Sequence, residues 1–219
     1  MKNVFVAGGT GYIGRRLCGE LLRKGYAVAV LVRPGSEQRV TAGCRAIPGN
    51  ALDHTTFRGE LSGAHTFVQL VGVAHPSPTK GKEFRGIDLK SCQESVAAAV
   101  ANSVQHFVYV SVAHPAPVMK TYVEVRMECE ELIRHSGLTA TILRPWYVLG
   151  PGHHWPYVLK PFYWVARQIP VSAASAKRLG LVTLPQMVRA LVAAVESPAE
   201  GVRVVEVPEI VSLSRDSSV

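Results

Sequence analysis

Apolar positions in this chain come in short unbroken blocks separated by helical spacings. Residues 4–7 (Val, Phe, Val, Ala) carry no polar alternation, which predicts a parallel strand buried on both faces. Leu17, Leu21 and Leu22 then recur on one helical face, with Arg15, Arg16, Glu20, Arg23 and Lys24 elsewhere. Gly25 is placed to end that helix in a left-handed cap. Residues 26–32 form a second β-branched run, and 45–47 a short third strand. A helix is predicted over 54–61, a strand over 64–73, and a Pro- and Gly-punctuated loop over 75–82. A long helix over 83–102 presents Val96, Ala97, Val100 and Ala101 as its packing face. Residues 107–112 read as a further strand, and a helix through Cys129, Leu132 and Ile133 stops at Ser136-Gly137. Strands follow at 138–143, 181–184 and 202–207, with a helix over 185–197 and a polar, fraying end over 213–219. Strand–helix–strand units of this kind cross over right-handedly, so the expected fold is α/β: a doubly wound parallel sheet in three αβα layers.

The first unit carries the most specific chemistry. Gly8, Gly9, Thr10, Gly11, Tyr12, Ile13 and Gly14 join the first strand directly to the first helix. Gly8 lets the backbone turn sharply, Gly11 lets a pyrophosphate approach the main chain, and Gly14 allows close helix packing. The amides and positive end of the helix then face phosphate groups. At the end of the second strand, NAD-preferring sites place an acid for the ribose hydroxyls, whereas arginine suits a 2′-phosphate. Here Arg33 stands at that end with no acid before Glu37, so NADP is expected over NAD, with Arg39 assisting.

The Gly8-x-x-Gly11-x-x-Gly14 spacing and the residues GGTGYIG resemble the extended and atypical short-chain dehydrogenase/reductase (SDR) superfamily, particularly NmrA-like NAD(P)-binding proteins. The resemblance implies a Rossmann-like fold and covers about residues 2–208. It places Asn50, where relatives carry Asp, with Ala51 beside the adenine, and Val71, Gly72 and Val73 along the adenosine side. It also extends to the segment ILRPWYVLGPG, which implies that Pro145, Tyr147 and Val148 border the nicotinamide. Trp146 is read as a packing residue, and Asp88 as structural.

Ser111 ends a strand, and Tyr122 and Arg126 are four apart on the following helix, so they share a face. This order resembles the SDR Ser…Tyr-x-x-x-Lys site. There the tyrosine exchanges a proton with substrate, the lysine lowers its pKa and holds the nicotinamide ribose, and the serine orients the substrate oxygen. Arg126 replaces that lysine. Its charge still favours a phenolate and its fork still suits ribose hydroxyls, but it is larger and always charged.

Composition changes this picture little. With 47% hydrophobic and 18% charged residues, the 219-residue chain has ample material for one domain; residues 146–185 are expected to add a small C-terminal substrate lobe. A net charge of +8 is scattered without a basic block, so it suits an anionic dinucleotide and predicts no nucleic-acid binding. No apolar run long enough to span a membrane and no signal-peptide pattern occur, and a cytoplasmic protein is expected. Cys18, Cys44, Cys92 and Cys129 lack a CxxC spacing and read as reduced thiols. The adjacent His153 and His154 are not a metal motif, and no metal is expected. The aromatic stretch 156–170 suits core, a substrate wall or an oligomer contact. The expected partners are NADP(H), a small-molecule substrate and a second copy of the chain as a homodimer. Two functions remain open at this point. One is an NADP-dependent oxidoreductase or related SDR enzyme, an epimerase included, acting on a small carbonyl or alcohol. The other is a non-catalytic NADP(H)-binding redox sensor or assembly scaffold.

Overall fold

The computed structural model describes residues 2–74, 76–116, 118–150 and 180–213. Seven parallel strands form one sheet in the order β3-β2-β1-β4-β5-β6-β9. They are β1 (Asn3–Ala7), β2 (Ala27–Val32), β3 (Arg45–Pro48), β4 (Thr66–Gln69), β5 (His106–Val110), β6 (Ala140–Arg144) and β9 (Val202–Glu206). A separate parallel pair joins β7 (Tyr147–Leu149) to β8 (Leu181–Thr183). The helices are α1 (Tyr12–Arg23), the single turn α2 (Gly81–Glu83), α3 (Lys90–Ala101), α4 (Lys120–His135), α5 (Leu184–Glu196) and α6 (Val207–Ser212).

The unalternating strands are explained by two buried faces. Val4 and Val6 of β1 point to one side with Val28, Val30, Val68 and Val108, where Leu17 and Leu21 of α1 and Met187 and Leu191 of α5 cover them. Phe5 and Ala7 point to the other, with Phe67, Phe107, Tyr109 and Ile142, against Cys92 and Val96 of α3 and Val125, Cys129 and Ile133 of α4. The first layer is packed with valines and the second with rings. Phe57, Phe5, Phe67 and Phe107 form a ladder with centroids 5.9, 5.1 and 5.3 Å apart. The register Phe5↔Phe67↔Phe107 puts the last three rings side by side on neighbouring strands. Helix α5 starts on a capping box, with Thr183 and Gln186 satisfying each other's backbone amides and Pro185 in the first turn.

Several expected elements differ in extent. The helix expected over 54–61 is two 3₁₀ turns, His54–Thr56 and Arg58–Leu61, broken at Phe57, which is needed for the ring ladder. The strand expected over 64–73 pairs only over Thr66–Gln69, because residues 70–73 leave the sheet toward the site. The loop expected over 75–82 contains a 3₁₀ turn, Pro78–Lys80, and the helix after it begins at Gly81. That helix includes a π-helical turn over Phe84–Leu89 before α3. Gly25 adopts the left-handed conformation expected of it, with φ +81°. The aromatic stretch 156–170, His153, His154 and the chain end from 214 lie outside the described residues, as does most of the expected 146–185 lobe. Among the described residues no helix is long and apolar enough to cross a membrane. All four cysteines are free.

Candidate functional site: a glycine turn at the sheet's switch point

Strand order reverses between β1 and β4, and in open parallel sheets ligands bind outside the carboxyl ends of the strands at that point. The glycine turn follows β1 there. Gly8 has φ +86°, and a Cβ on it would lie 2.8 Å from the Leu70 carbonyl carbon. A Cβ on Gly14 would overlap the Gly8 carbonyl oxygen and come within 2.6 Å of Gly9 Cα. Gly14 therefore serves the turn itself, more than packing of the helix on the sheet. Gly11 N–H donates to Gly8 O at 3.0 Å, and the first helical bond runs from Arg15 N–H to Gly11 O at 3.1 Å. Gly11 caps α1 without a side-chain hydrogen bond, and the first turn contains no acid. The amides ahead of that first bond, Ile13 and Gly14 among them, point along the helix axis as a ready anion site.

Beside this turn is a groove of about 450 Å³ lined by Thr10, Gly11, Tyr12, Arg15, Arg16, Arg39 and Leu184. Among the described residues, three arginines and no carboxylate border it. Arg15 Nε also donates to Thr10 O at 2.9 Å, which fixes the turn. Arg39 comes from the 3₁₀ turn Glu37–Arg39 after β2. Arg33 stands exposed at the β2 exit and is not among the groove residues. Arg15 and Arg16 were legible in the sequence only as polar helix positions; folding the Arg39 turn back over the helix start reveals their shared charge. Asn50 Oδ1 accepts the Leu52 N–H at 3.0 Å, leaving its side-chain amide to donate outward, while Ala51 packs on the ring layer.

Past β4, Val71 N–H is held by Gln69 Oε1 at 3.1 Å and Val73 N–H by Asp88 Oδ2 at 3.0 Å. Between them, the bare Cα of Gly72 admits the Arg126 guanidinium: a Cβ there would overlap Nη2. Gly72 was expected to open the backbone toward adenosine, yet the space its missing side chain frees is filled by the protein.

Arg126 is buried, at 7% exposure. Nη1 donates to Tyr109 Oη and Val110 O, both at 3.0 Å, and Nη2 to Asp88 Oδ1 at 2.6 Å. Burial raises the Asp88 carboxyl above its ordinary pKa, and the Arg126 charge pulls it the other way. The Tyr122 ring lies over the same guanidinium, 5.1 Å from Cζ, and packs on Phe84 at 5.0 Å. The cation thus meets the tyrosine's face. Tyr122 and Arg126 share a helix face as the spacing predicts. Ser111 is buried and donates to Glu130 Oε1 at 2.6 Å, one helical turn beyond Arg126. Burial favours a neutral Glu130, but hydrogen bonds from Arg144 and Ser111 outweigh it and hold the pKa below the usual glutamate value.

Pro145 O accepts Ala113 N–H at 2.9 Å and so links the exits of β5 and β6. Tyr147 and Val148 lie in β7; Tyr147 stacks edge-on against Trp146 at 5.2 Å, and Val148 packs on the valine layer. Among the described residues one His/acid cluster, Asp53, His54 and Glu94, brings its ligand atoms within 4.8 Å. Lys90 Nζ sits on Glu94 at 2.5 Å and supplies the positive charge there.

The residues present fit a dinucleotide: a Cβ-free turn, amides at a helix start and an arginine-lined groove. The comparisons agree. A family described as NAD(P)H-binding matches residues 8–155. The chain is 26% identical over 208 residues to a ceramide reductase of Caulobacter vibrioides, covering 90% of this chain and 62% of that protein. It is also 26% identical over 168 residues to a 4-hydroxy-2-methyl-3-oxo-4-farnesyl-3,4-dihydroquinoline-1-oxide ketoreductase of Stigmatella aurantiaca, covering 67% of this chain and 50% of that one. The chain thus spans half to about three fifths of these relatives' length. The fold is similar to that of the Bordetella bronchiseptica enzyme WbmH in complex with NAD+, at TM-score 0.69 and 21% identity, over 92% of this chain and 74% of that one. With its seven-stranded parallel sheet and its glycine turn, the chain belongs to the NAD(P)H-binding family, on the fold of the extended and atypical SDR proteins.

Proposed function

We propose that the protein is an NADP(H)-dependent reductase of SDR type acting on a small carbonyl or alcohol. The observation that carries the NADP preference is the groove beside the glycine turn, where Arg15, Arg16 and Arg39 converge with no carboxylate among the described residues. A 2′-phosphate gains charge-assisted hydrogen bonds in such a place, whereas a bare ribose finds no acid to accept its hydroxyls. Arg33, at the β2 exit, adds to the same positive field. Asn50 and Ala51 flank the adenine, and Pro145, Tyr147 and Val148 flank the nicotinamide. When bound, the nicotinamide supplies the hydride. Tyr122 is the group that exchanges a proton with the substrate oxygen, and the reductase names of the relatives point the same way.

A second reading, a non-catalytic NADP(H) sensor or scaffold, is favoured by one specific observation. Ser111 gives its hydroxyl to Glu130, and both terminal nitrogens of Arg126 are bonded to protein groups. Two of the three residues matching the SDR site are therefore tied into the fold. Dissociation constants for NADPH and NADH test the cofactor preference: equal values, or tighter NADH, defeat it. Single-turnover oxidation of NADPH across a panel of small aldehydes and ketones tests the chemistry. Hydride transfer to any of them supports the reductase, and tight NADPH binding with no transfer supports the sensor.

A further inference from the structure

The cysteines, far apart in the chain, meet as two pairs in the fold. Cys18 of α1 and Cys44, just ahead of β3, share a thiol–thiol hydrogen bond, as do Cys92 of α3 and Cys129 of α4. The pairs differ in access. Cys92 and Cys129 are both fully buried, whereas Cys44 is half-buried among the described residues, with Cys18 closed off behind it. The outer pair lies against the arginine groove. Cys18 Sγ is 3.3 Å from where a Gly9 Cβ would stand, so it packs under the glycine turn. A Cβ on Gly43 would be 3.3 Å from Leu22 Cδ1, one helical turn beyond Cys18. Cys44 N–H donates to Thr41 O at 3.0 Å, which closes the turn beside α1. Arg16 shortly precedes Cys18 and Arg39 shortly precedes Cys44, and both arginines line the groove. Burial raises the Cys18 thiol and keeps it protonated. Burial raises Cys44 too, but the Cys18 S–H it accepts pulls it back, so Cys44 yields a thiolate first.

We propose that Cys18 and Cys44 are a redox modification site, closed to a disulfide by hydrogen peroxide, that staples the Arg39 segment to α1. The Cys44 thiolate attacks one peroxide oxygen. The O–O bond breaks, and the departing hydroxide takes up the proton that Cys44 released, giving water and a Cys44 sulfenic acid. The Cys18 sulfur then attacks the Cys44 sulfur. The S–S bond forms, the S–O bond breaks, and the hydroxyl leaves with the Cys18 proton as a second water. The two thiols are oxidised by two electrons and the peroxide is reduced. A dithiol reverses the bond by thiol–disulfide exchange. The staple holds the groove in the form that receives a 2′-phosphate and so tightens NADPH by preorganisation. That consequence, unlike the disulfide itself, rests on the NADP reading above.

The test is peroxide treatment of the reduced full chain, then alkylation, proteolysis and mass spectrometry without reductant. The expected product is a cross-linked peptide pair carrying Cys18 and Cys44, reversed by dithiothreitol, with Cys92 and Cys129 still reduced. The oxidised chain is expected to melt about 5 °C or more higher, because a bond that suits the native fold restrains the unfolded chain. Cys18→Ser is expected to stop at a Cys44 sulfenic acid, trapped by dimedone, and Cys44→Ser to leave Cys18 reduced. Absence of the Cys18–Cys44 peptide, a bond joining Cys92 to Cys129 instead, or a melting temperature that does not rise overturns the proposal. The mapping uses the unaltered chain, so it holds even where a variant fails to fold. Calorimetry is expected to show NADPH bound about threefold or more tightly in the oxidised chain than in the reduced one. Unchanged or weaker binding overturns the link to the groove. A reduced chain that binds no NADPH sinks the NADP reading and that link, while the peptide map decides the disulfide by itself.

Discussion

Ser111 Oγ donates to Glu130 Oε1 at 2.6 Å where β5 meets α4. Glu130 also receives Arg144 Nη2 and Nε at 2.5 and 2.9 Å, and Arg144 Nη1 reaches Glu206 at 2.8 Å. His114 Nε2 lies 3.4 Å from the same carboxylate. The network ties the exits of β5, β6 and β9 to one helix. A hydroxyl used this way ties α4 to the end of β5, and its removal is felt first in stability.

Ser111→Ala leaves Glu130 with one donor fewer in a buried position. Unfolding free energy is expected to fall by about 1.5–3 kcal/mol, the range for a hydrogen bond to a charged group. NADPH affinity is expected to stay within about twofold, well under the tenfold that 1.4 kcal/mol represents. Urea denaturation and a fluorescence titration measure the two. A large affinity loss at unchanged stability would instead place the hydroxyl at the cofactor.

At Gly14 even one methyl group is too many, because the neighbouring atoms are backbone. Gly14→Ala is expected to cost about 1–3 kcal/mol through overpacking and to abolish the melting-temperature rise on adding NADPH. Gly19, on the same helix, has nothing within 4 Å of an added Cβ, so Gly19→Ala serves as the control. The idea fails if both variants retain the ligand-induced shift.

For the arginine groove, Arg39→Ala is expected to weaken NADPH by roughly 10- to 100-fold, the equivalent of losing one or two charge-assisted hydrogen bonds. NADH affinity should hardly move. Arg33→Ala is expected to do less, since Arg33 lies outside the groove lining. The ratio of the two dissociation constants in each variant is the readout, and the reverse ranking would move the 2′-phosphate to the β2 exit.

Tyr122→Phe separates the two functional readings. With an identified carbonyl substrate, loss of proton exchange is expected to slow turnover by about 100- to 10,000-fold while NADPH binding persists. Unchanged turnover removes Tyr122 from the chemistry.

His106 gives a pH prediction independent of function. It is fully buried at the start of β5, with Nε2 against Thr141 Oγ1 at 2.9 Å and Nδ1 unpartnered among the described residues, and burial lowers its pKa from 6.5 to about 4. The folded state thus binds a proton less readily than the unfolded one. The stabilisation is complete above about pH 6.5 and is lost as the pH falls toward 4, by roughly 3 kcal/mol at most. His106→Gln should be the less stable protein at pH 7.5 yet show a shallower decline between pH 6.5 and 4. Parallel curves for the two proteins would contradict this.

The α/β architecture was legible because β1, β2 and β5 are apolar blocks buried on both faces, and because Gly25 and Ser136-Gly137 punctuate the helices. The glycine turn was legible for a local reason as well. Its constraints act between residues at most six apart, Gly8 to Gly14, so spacing alone encodes them. The 54–61 helix was misjudged because Phe57 answers to Phe5 across the sheet, a contact that overrides local helical periodicity.

What spacing did not encode is who holds Arg126. The four-residue interval to Tyr122 fixed their common face, but Asp88 lies 38 positions away in the chain and Glu130 meets Ser111 across 19. A buried charge must find its counter-ion in space, wherever the crossover helices deliver one, and that depends on packing of the Phe84–Leu89 turn against α4. The sequence alone therefore determined a dinucleotide-binding turn on a parallel sheet. The tertiary structure decided that the arginine of the Tyr-x-x-x-Arg pattern is engaged from within, because only the folded sheet brings Asp88, Tyr109 and the β5 carbonyl around it.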